Sequence, residues 1–171
     1  IYCGMLRFCP QAKELLAPSV DLSGAILRHM LISKADVEWA SYLRKNAISC
    51  AQTAAQSFHC DLAHSRLIGE YACKLFDKMK KVHGLDPSKR LILELAAILH
   101  SCGSFISVRQ HNRCTFDIIR GMDLFGLSEE QVLEVALVAG SITEAASVQG
   151  VLELASFSPK ERLVVSKLSA I

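Results

Sequence analysis

The sequence predicts a mainly α-helical domain preceded by a short non-helical head. Three observations lead there. Ala and Leu are abundant while aromatic residues make up only 6% of the 171 residues, a composition that favours helix over sheet. Nine Gly and four Pro are too few for a sandwich or barrel built on many short turns. Several stretches repeat apolar residues at intervals of three and four, the signature of one helix face. With 51% of its residues hydrophobic, the chain can bury enough surface to offset its ordering entropy, which excludes disorder. Its length suits one domain of ordinary size with a small appendage.

The elements follow in order. Ile1 to Cys9 is a short apolar piece ended by Pro10, with no cap ahead of it. Lys13 to Ala17 reads as a short strand, residues 18–24 as a loop by their turn residues, and Ala25 to Leu31 as a helical turn or two. A longer helix starts near Ser33 or Asp36 and runs toward Phe58, with Val37, Ala40, Leu43, Ala47, Cys50, Ala51 and Ala54 on one stripe. Asp61 caps the next helix, in which Leu62, Leu67, Ile68, Tyr71, Ala72, Leu75, Phe76 and Met79 follow the helical period up to Gly84. Pro87-Ser88 opens a helix apolar nearly all round, from Leu91 to Leu99, the mark of a central element. After a loop come helices at Thr115 to Met122 and Ser128 to Ala139, the latter opened by the capping box Ser128-Glu129-Glu130-Gln131. The stretch 140–157 is weakly patterned, and Ser158-Pro159 begins a last helix.

Composition also bounds function. A formal net charge of +2 gives no global field for nucleic acid or membrane, so neither is an expected partner and any anion site must be local. No run approaches the roughly 18 uninterrupted apolar residues of a membrane helix. The seven cysteines are scattered and contain no C-x-x-C pair, so neither a disulfide framework nor a zinc ribbon is indicated. A reducing, cytoplasmic compartment is the economical expectation. The first residue is Ile1, with neither an initiator Met nor a signal pattern, which reads as a piece of a longer protein.

Six histidines occur, and His64, His100 and His111 fall at notable places. His64 lies in the first turn of the Asp61 helix, His100 ends the central helix, and His111 follows in the loop. Imidazoles at the ends of buried helices can converge to bind metal or polarise a phosphate. The plainer alternative is hydrogen-bonded histidines at helix ends, and no carboxylates stand beside them as a hard cation would need. Basic clusters occur at Lys78, Lys80 and Lys81, at Lys89 and Arg90, and at Arg109 and Arg113 around His111. The lysine run reads as a solvated helix face. Cys102 and Cys114 lie near His100 and His111, yet packing explains them more simply than nucleophilic chemistry.

The run Glu94-Leu95-Ala96-Ala97-Ile98-Leu99-His100-Ser101-Cys102-Gly103-Ser104-Phe105-Ile106 resembles the signature of HD-type phosphohydrolase domains. More narrowly, it resembles the C-terminal HD-like domain of the exopolyphosphatase/guanosine pentaphosphate phosphohydrolase (Ppx/GppA) family. Asp61-Leu62-Ala63-His64, His83-Gly84-Leu85, Gln110-His111-Asn112-Arg113, Asp123-Leu124-Phe125-Gly126-Leu127-Ser128 and Phe157-Ser158-Pro159-Lys160-Glu161-Arg162 fit in the right order. The head, with Val20-Asp21-Leu22-Ser23-Gly24, resembles the end of the family's actin-like portion. The resemblance thus implies an all-α, HD-domain-like bundle at residues 33–171, truncated in its last helix, after a remnant of an actin-like α/β domain at residues 1–32.

The resemblance also implies a site. Active HD domains hold a metal with a His, a His-Asp pair and a later Asp. His64 matches the first His and His100 the second, but Ser101 stands where the metal-binding Asp belongs. Ala139-Gly140-Ser141 replaces a Tyr-His-Arg of relatives, and the final helix stops at Ile171 before the family's last Asp. A serine hydroxyl does not replace a carboxylate for a hard divalent cation, so a degenerate metal site at His64 and His100 is expected, with no catalytic residue and no cofactor in this chain. The family implies that the parent hydrolyses terminal phosphoanhydride bonds of polyphosphate or pppGpp with Mg²⁺ held in its actin-like lobes. The expected role is an accessory module that binds the polyanion through Arg109, His111 and Arg113 and supports a homodimer. Two other readings stand beside it: an autonomous HD-type metal-dependent nucleotide phosphohydrolase, and an interaction module without a ligand.

Overall fold

The segment apolar on nearly all sides does become the central helix. In the computed structural model, residues 37–140 and 157–171 are described, and all but Val37 belong to the unit Glu38–Ile171. The predicted strand at Lys13 to Ala17, the boundary at residue 32 and the weakly patterned 141–156 lie outside the described residues. Those residues form α1 (Val37–Ser57), α2 (Leu62–Lys78), α3 (Lys80–His83), α4 (Lys89–Leu99), a 3₁₀ turn (Cys102–Phe105), α5 (His111–Arg120), α6 (Glu129–Ala139) and α7 (Pro159–Ser169). The fold is all-α, with no strand among the described residues.

Helix α4 buries Ile92, Leu93 and every residue from Leu95 to Leu99, and it packs between α2 and α6. Helix α6 in turn carries α5 and α7. The core formed at these contacts contains Phe116, Ile119, Val135, Leu137, Val165 and Leu168, all at most 2% exposed. From α1 come Ala47, Ala51 and Ala55, spaced by four and buried in the core.

Local chemistry sets the boundaries. Asp61 accepts from the amides of Ala63 and His64 at 2.9 and 3.1 Å, capping α2 as expected. Both reciprocal capping boxes are formed, Ser128 with Gln131 and Ser158 with Glu161. The start of α4 differs. Its N-cap Ser88 makes no side-chain cap bond; Asp86 closes the turn instead, accepting from the Ser88 amide at 2.8 Å.

The sequence stripe of α2 matches its buried face only in part: Phe76 is buried and Leu62, Ile68 and Ala72 are half-buried. Ser65, Gly69, Cys73 and Phe76 are buried, whereas Leu67, Tyr71, Leu75 and Met79 are 38–58% exposed. The small residues permit a closer approach to α4, and that contact outweighs the larger side chains' preference for burial. The run also breaks at Met79 before the short α3, which no Gly or Pro announces. His83, on α3, is buried with both ring nitrogens engaged. Its Nε2 lies 2.8 Å from the Phe76 carbonyl and its Nδ1 2.9 Å from the Leu85 amide.

Lys89 and Arg90, grouped in the sequence as a basic cluster, serve ion pairs instead. Lys89 Nζ donates to both oxygens of the buried Glu134 at 2.6 and 2.7 Å. Arg90 Nε contacts both carboxylate oxygens of Asp77 at 3.1 and 3.2 Å.

Candidate histidine site at the helix ends

Two segments far apart in sequence bring His64 and His100 together. The Asp61 cap fixes the first turn of α2, and His64 stands on that turn, exposed. His100 terminates α4 and is half-buried. The two rings lie 5.9 Å apart between centroids, inclined by 52°. His100 Nδ1 is 2.7 Å from the Ala97 carbonyl; donation from Nδ1–H leaves the ring's lone pair on Nε2.

Thr115 holds α5 against this end of α4. Its hydroxyl donates to the His100 carbonyl at 3.1 Å and accepts from the Gly103 amide at 3.0 Å. Gly103 is required by the closeness of this contact. A Cβ there would stand 2.0 Å from the His111 carbonyl oxygen and 2.4 Å from the Thr115 nitrogen. Gly140, at the end of α6, plays a similar part, since a Cβ would come within 2.9 Å of the Asn112 carbonyl and 3.1 Å of Phe116 Cβ. The chain's Ala139-Gly140 thus lets α6 close on the first turn of α5.

His111 is the first residue of α5 and half-buried, where the sequence predicts a loop. Gln110 precedes it without a side-chain cap bond, so no capping pattern marks this helix start. Arg109 and Arg113 are exposed on either side. Arg113 Nε lies 3.9 Å from Asp117 Oδ2, with both side chains more than half exposed; such a pair is worth little in water. The backbone contact between Gly103 and His111 and the Thr115 clamp thus bring the Arg109–Arg113 turn to the end of α4 that carries His100.

The donor set can be tested against a metal. His64 and His100 offer two imidazoles, and Ser101 offers a hydroxyl. The Asp61 carboxylate is spent on capping α2. Among the described residues, no group of three or more His, Cys, Asp or Glu side chains is placed to hold a metal ion. Two imidazoles without a carboxylate do not fit a hard divalent cation, which takes oxygen ligands. Cys102 is fully buried, and burial together with the neighbouring Cys60 pushes its thiol well above the ordinary cysteine range, so it is no activated nucleophile.

A second feature was not legible in the sequence. A cleft of about 360 Å³ between α1, α2 and α4 is lined by Arg44, Arg66, Lys74, Arg90, Glu70 and Glu94, with Cys73 among its walls. Arg44 and Arg90 both reach Glu94, at 2.5 and 3.7 Å. Arg44 and Glu94 are 50 residues apart, so only the fold joins them. Burial, then the charge of Glu94, raises the Cys73 thiol above its ordinary value.

Residues 45–171 match a family model described as Ppx/GppA phosphatase, domain III. No curated protein matches the chain. No described helix is long and apolar enough to cross a membrane.

Proposed function

The chain belongs to the Ppx/GppA phosphatase family, whose domain III spans its residues 45–171, and we propose that this domain is an accessory module that binds polyanionic substrate for the phosphatase. The parent hydrolyses terminal phosphoanhydride bonds of polyphosphate or pppGpp, with Mg²⁺ held by other parts of the protein. Domain III supplies cations along the path of the chain of phosphates.

One observation carries this reading. Arg109, His111 and Arg113 fall within five residues around the start of α5, which Gln110 leaves without a side-chain cap, and both arginines are exposed. First-turn amides without a cap favour an anion, and two exposed guanidiniums beside them can engage phosphate oxygens bidentately. His64 and His100 would form a degenerate metal site beside this turn, two imidazoles without the carboxylate that Ser101 does not supply. The same donor set weighs against an autonomous metal-dependent nucleotide phosphohydrolase.

The test is polyphosphate binding followed by calorimetry at low and raised salt. Binding should weaken as salt rises, and Arg109→Ala/Arg113→Ala should weaken it about tenfold or more, given roughly 1.5–3 kcal/mol for a hydrogen bond to a charged group. If Arg66→Ala/Lys74→Ala abolishes binding instead, the cleft between α1, α2 and α4 is the site and the α5 turn is not. No binding at low salt sinks the reading and leaves an interaction module.

A further inference from the structure

Two thiols distant in sequence meet beside the histidine pair. Cys60 lies in the link between α1 and α2, immediately before the Asp61 cap. Cys102 opens the 3₁₀ turn two residues after His100. Cys60 Sγ donates to Cys102 Sγ at 3.4 Å across a separation of 42 residues. Cys102 is fully buried and Cys60 half-buried. Among the described residues, no other two cysteine sulfurs lie within hydrogen-bonding distance. Cys50 points to the Asp123 carbonyl, Cys73 is buried beside the charged cleft, and Cys114 stands half-buried on α5. A disulfide needs its sulfurs at about 2.05 Å; the 3.4 Å between these two is a direct thiol contact, the approach from which such a bond forms.

We propose that Cys60 and Cys102 are an oxidation site that closes into a reversible disulfide, tying the start of α2 to the turn after α4. Cys60, the accessible member, reacts first. With a peroxide as oxidant, the Cys60 thiolate attacks one peroxide oxygen, the O–O bond breaks and hydroxide leaves, forming a sulfenic acid. Cys102 Sγ, held against Cys60 Sγ by the fold, then forms the S–S bond as its own thiol proton passes to the sulfenic oxygen, so no free Cys102 thiolate is required. The S–O bond breaks, and water departs carrying the Cys102 proton. Overall, two thiols lose two electrons and two protons, and hydrogen peroxide becomes two waters. A thiol reductant reverses the bond by exchange.

The location gives the bond its consequence. His64 is four residues after Cys60 and His100 two before Cys102, so the bond spans the same two segments as the imidazole pair. Oxidation would tie together the two segments that carry those rings and remove freedom from the unfolded chain between the two cysteines.

The experiment treats the whole chain with hydrogen peroxide and reads intact mass, peptide map and melting temperature. The expected result is a loss of two hydrogens, a peptide joining Cys60 to Cys102, and a Tm higher by about 5 °C or more, all reversed by dithiothreitol. In Cys60→Ser, which alters only a half-buried position, the linked peptide and the Tm rise should vanish; Cys102→Ala should behave alike if it folds. Oxygen added to Cys60 while Cys102 remains open to alkylation under denaturing conditions overturns the proposal. So does a linked peptide built from other cysteines, or a mass that does not change.

Discussion

Gly103 and Gly69 are both small residues at helix contacts, yet their space differs. A Cβ at Gly103 meets backbone atoms at 2.0 and 2.4 Å, which no side-chain motion relieves. Gly103→Ala should therefore lower Tm severely or prevent folding, and circular dichroism melts will show it. A Cβ at Gly69 meets only Ala97 Cβ on α4, at 3.8 Å, an ordinary van der Waals contact. There the loss of unfolded-chain entropy and the better helix propensity of Ala dominate, so Gly69→Ala should stabilise by roughly 0.5–1 kcal/mol in urea titrations. The Lys89–Glu134 pair is decided by burial in the same way. Glu134 is 4% exposed, and Lys89→Ala leaves its carboxylate without its cation, a loss of about 3–5 kcal/mol. Lys89→Met/Glu134→Leu removes both charges and should recover most of that stability; a double variant as unstable as the single one would show that the pair itself stabilises the native state.

Among the elements, the helix starts respond to pH. Asp86 is held below its ordinary range by hydrogen bonds from Ser88, and Glu161 by hydrogen bonds from Ser158. A carboxylate whose folded pKa is depressed contributes stability above its unfolded pKa and loses it as pH falls through the folded value. Stability should therefore decline as pH drops below about 4.5, near the unperturbed carboxylate values. Asp86→Asn and Glu161→Gln should each flatten that decline in denaturant titrations across pH, while leaving stability at pH 8 to show the cost of the lost charge. Such local devices are also what the sequence made legible. Asp61, Ser128 with Gln131, and Ser158 with Glu161 signal their helices because cap and partner lie within three residues of each other. The start of α5 was not legible, since Gln110 makes no cap bond and Ser107 holds the Gln110 amide from outside the helix, at 3.3 Å. The apolar stripe of α2 matches its buried face only in part, for a different reason. Periodicity counts apolar residues, whereas close helix packing here selects Ser65, Gly69 and Cys73. At the site, His64 and His100 could be paired through the resemblance, but the Cys60–Cys102 contact and the Arg44–Glu94 bridge exist only once the helices assemble.

At the scale of the molecule, the question is what covers the stripe that α2 leaves exposed. Leu67, Tyr71, Leu75 and Met79 recur every four residues, so they form one ridge along the helix. A ridge of this kind is self-complementary when two copies meet antiparallel about a two-fold axis, which is how the domain would support a homodimer. Sedimentation equilibrium should then give a dimer that Tyr71→Glu/Leu75→Glu converts to monomer, with helical content unchanged by circular dichroism. A wild-type chain that sediments as a monomer at high concentration sinks the dimer. The small net charge of +2 fits this arrangement, because it neither drives copies apart nor masks a local cluster of arginines.

The hydroxyl of Thr115 has one proton and gives it to the His100 carbonyl, while its oxygen takes the Gly103 amide. That side chain works as a hinge pin whose two ends are already fastened. One hydroxyl thus fastens two backbone points, the end of α4 and the turn after it, to α5, and its loss would release both at once.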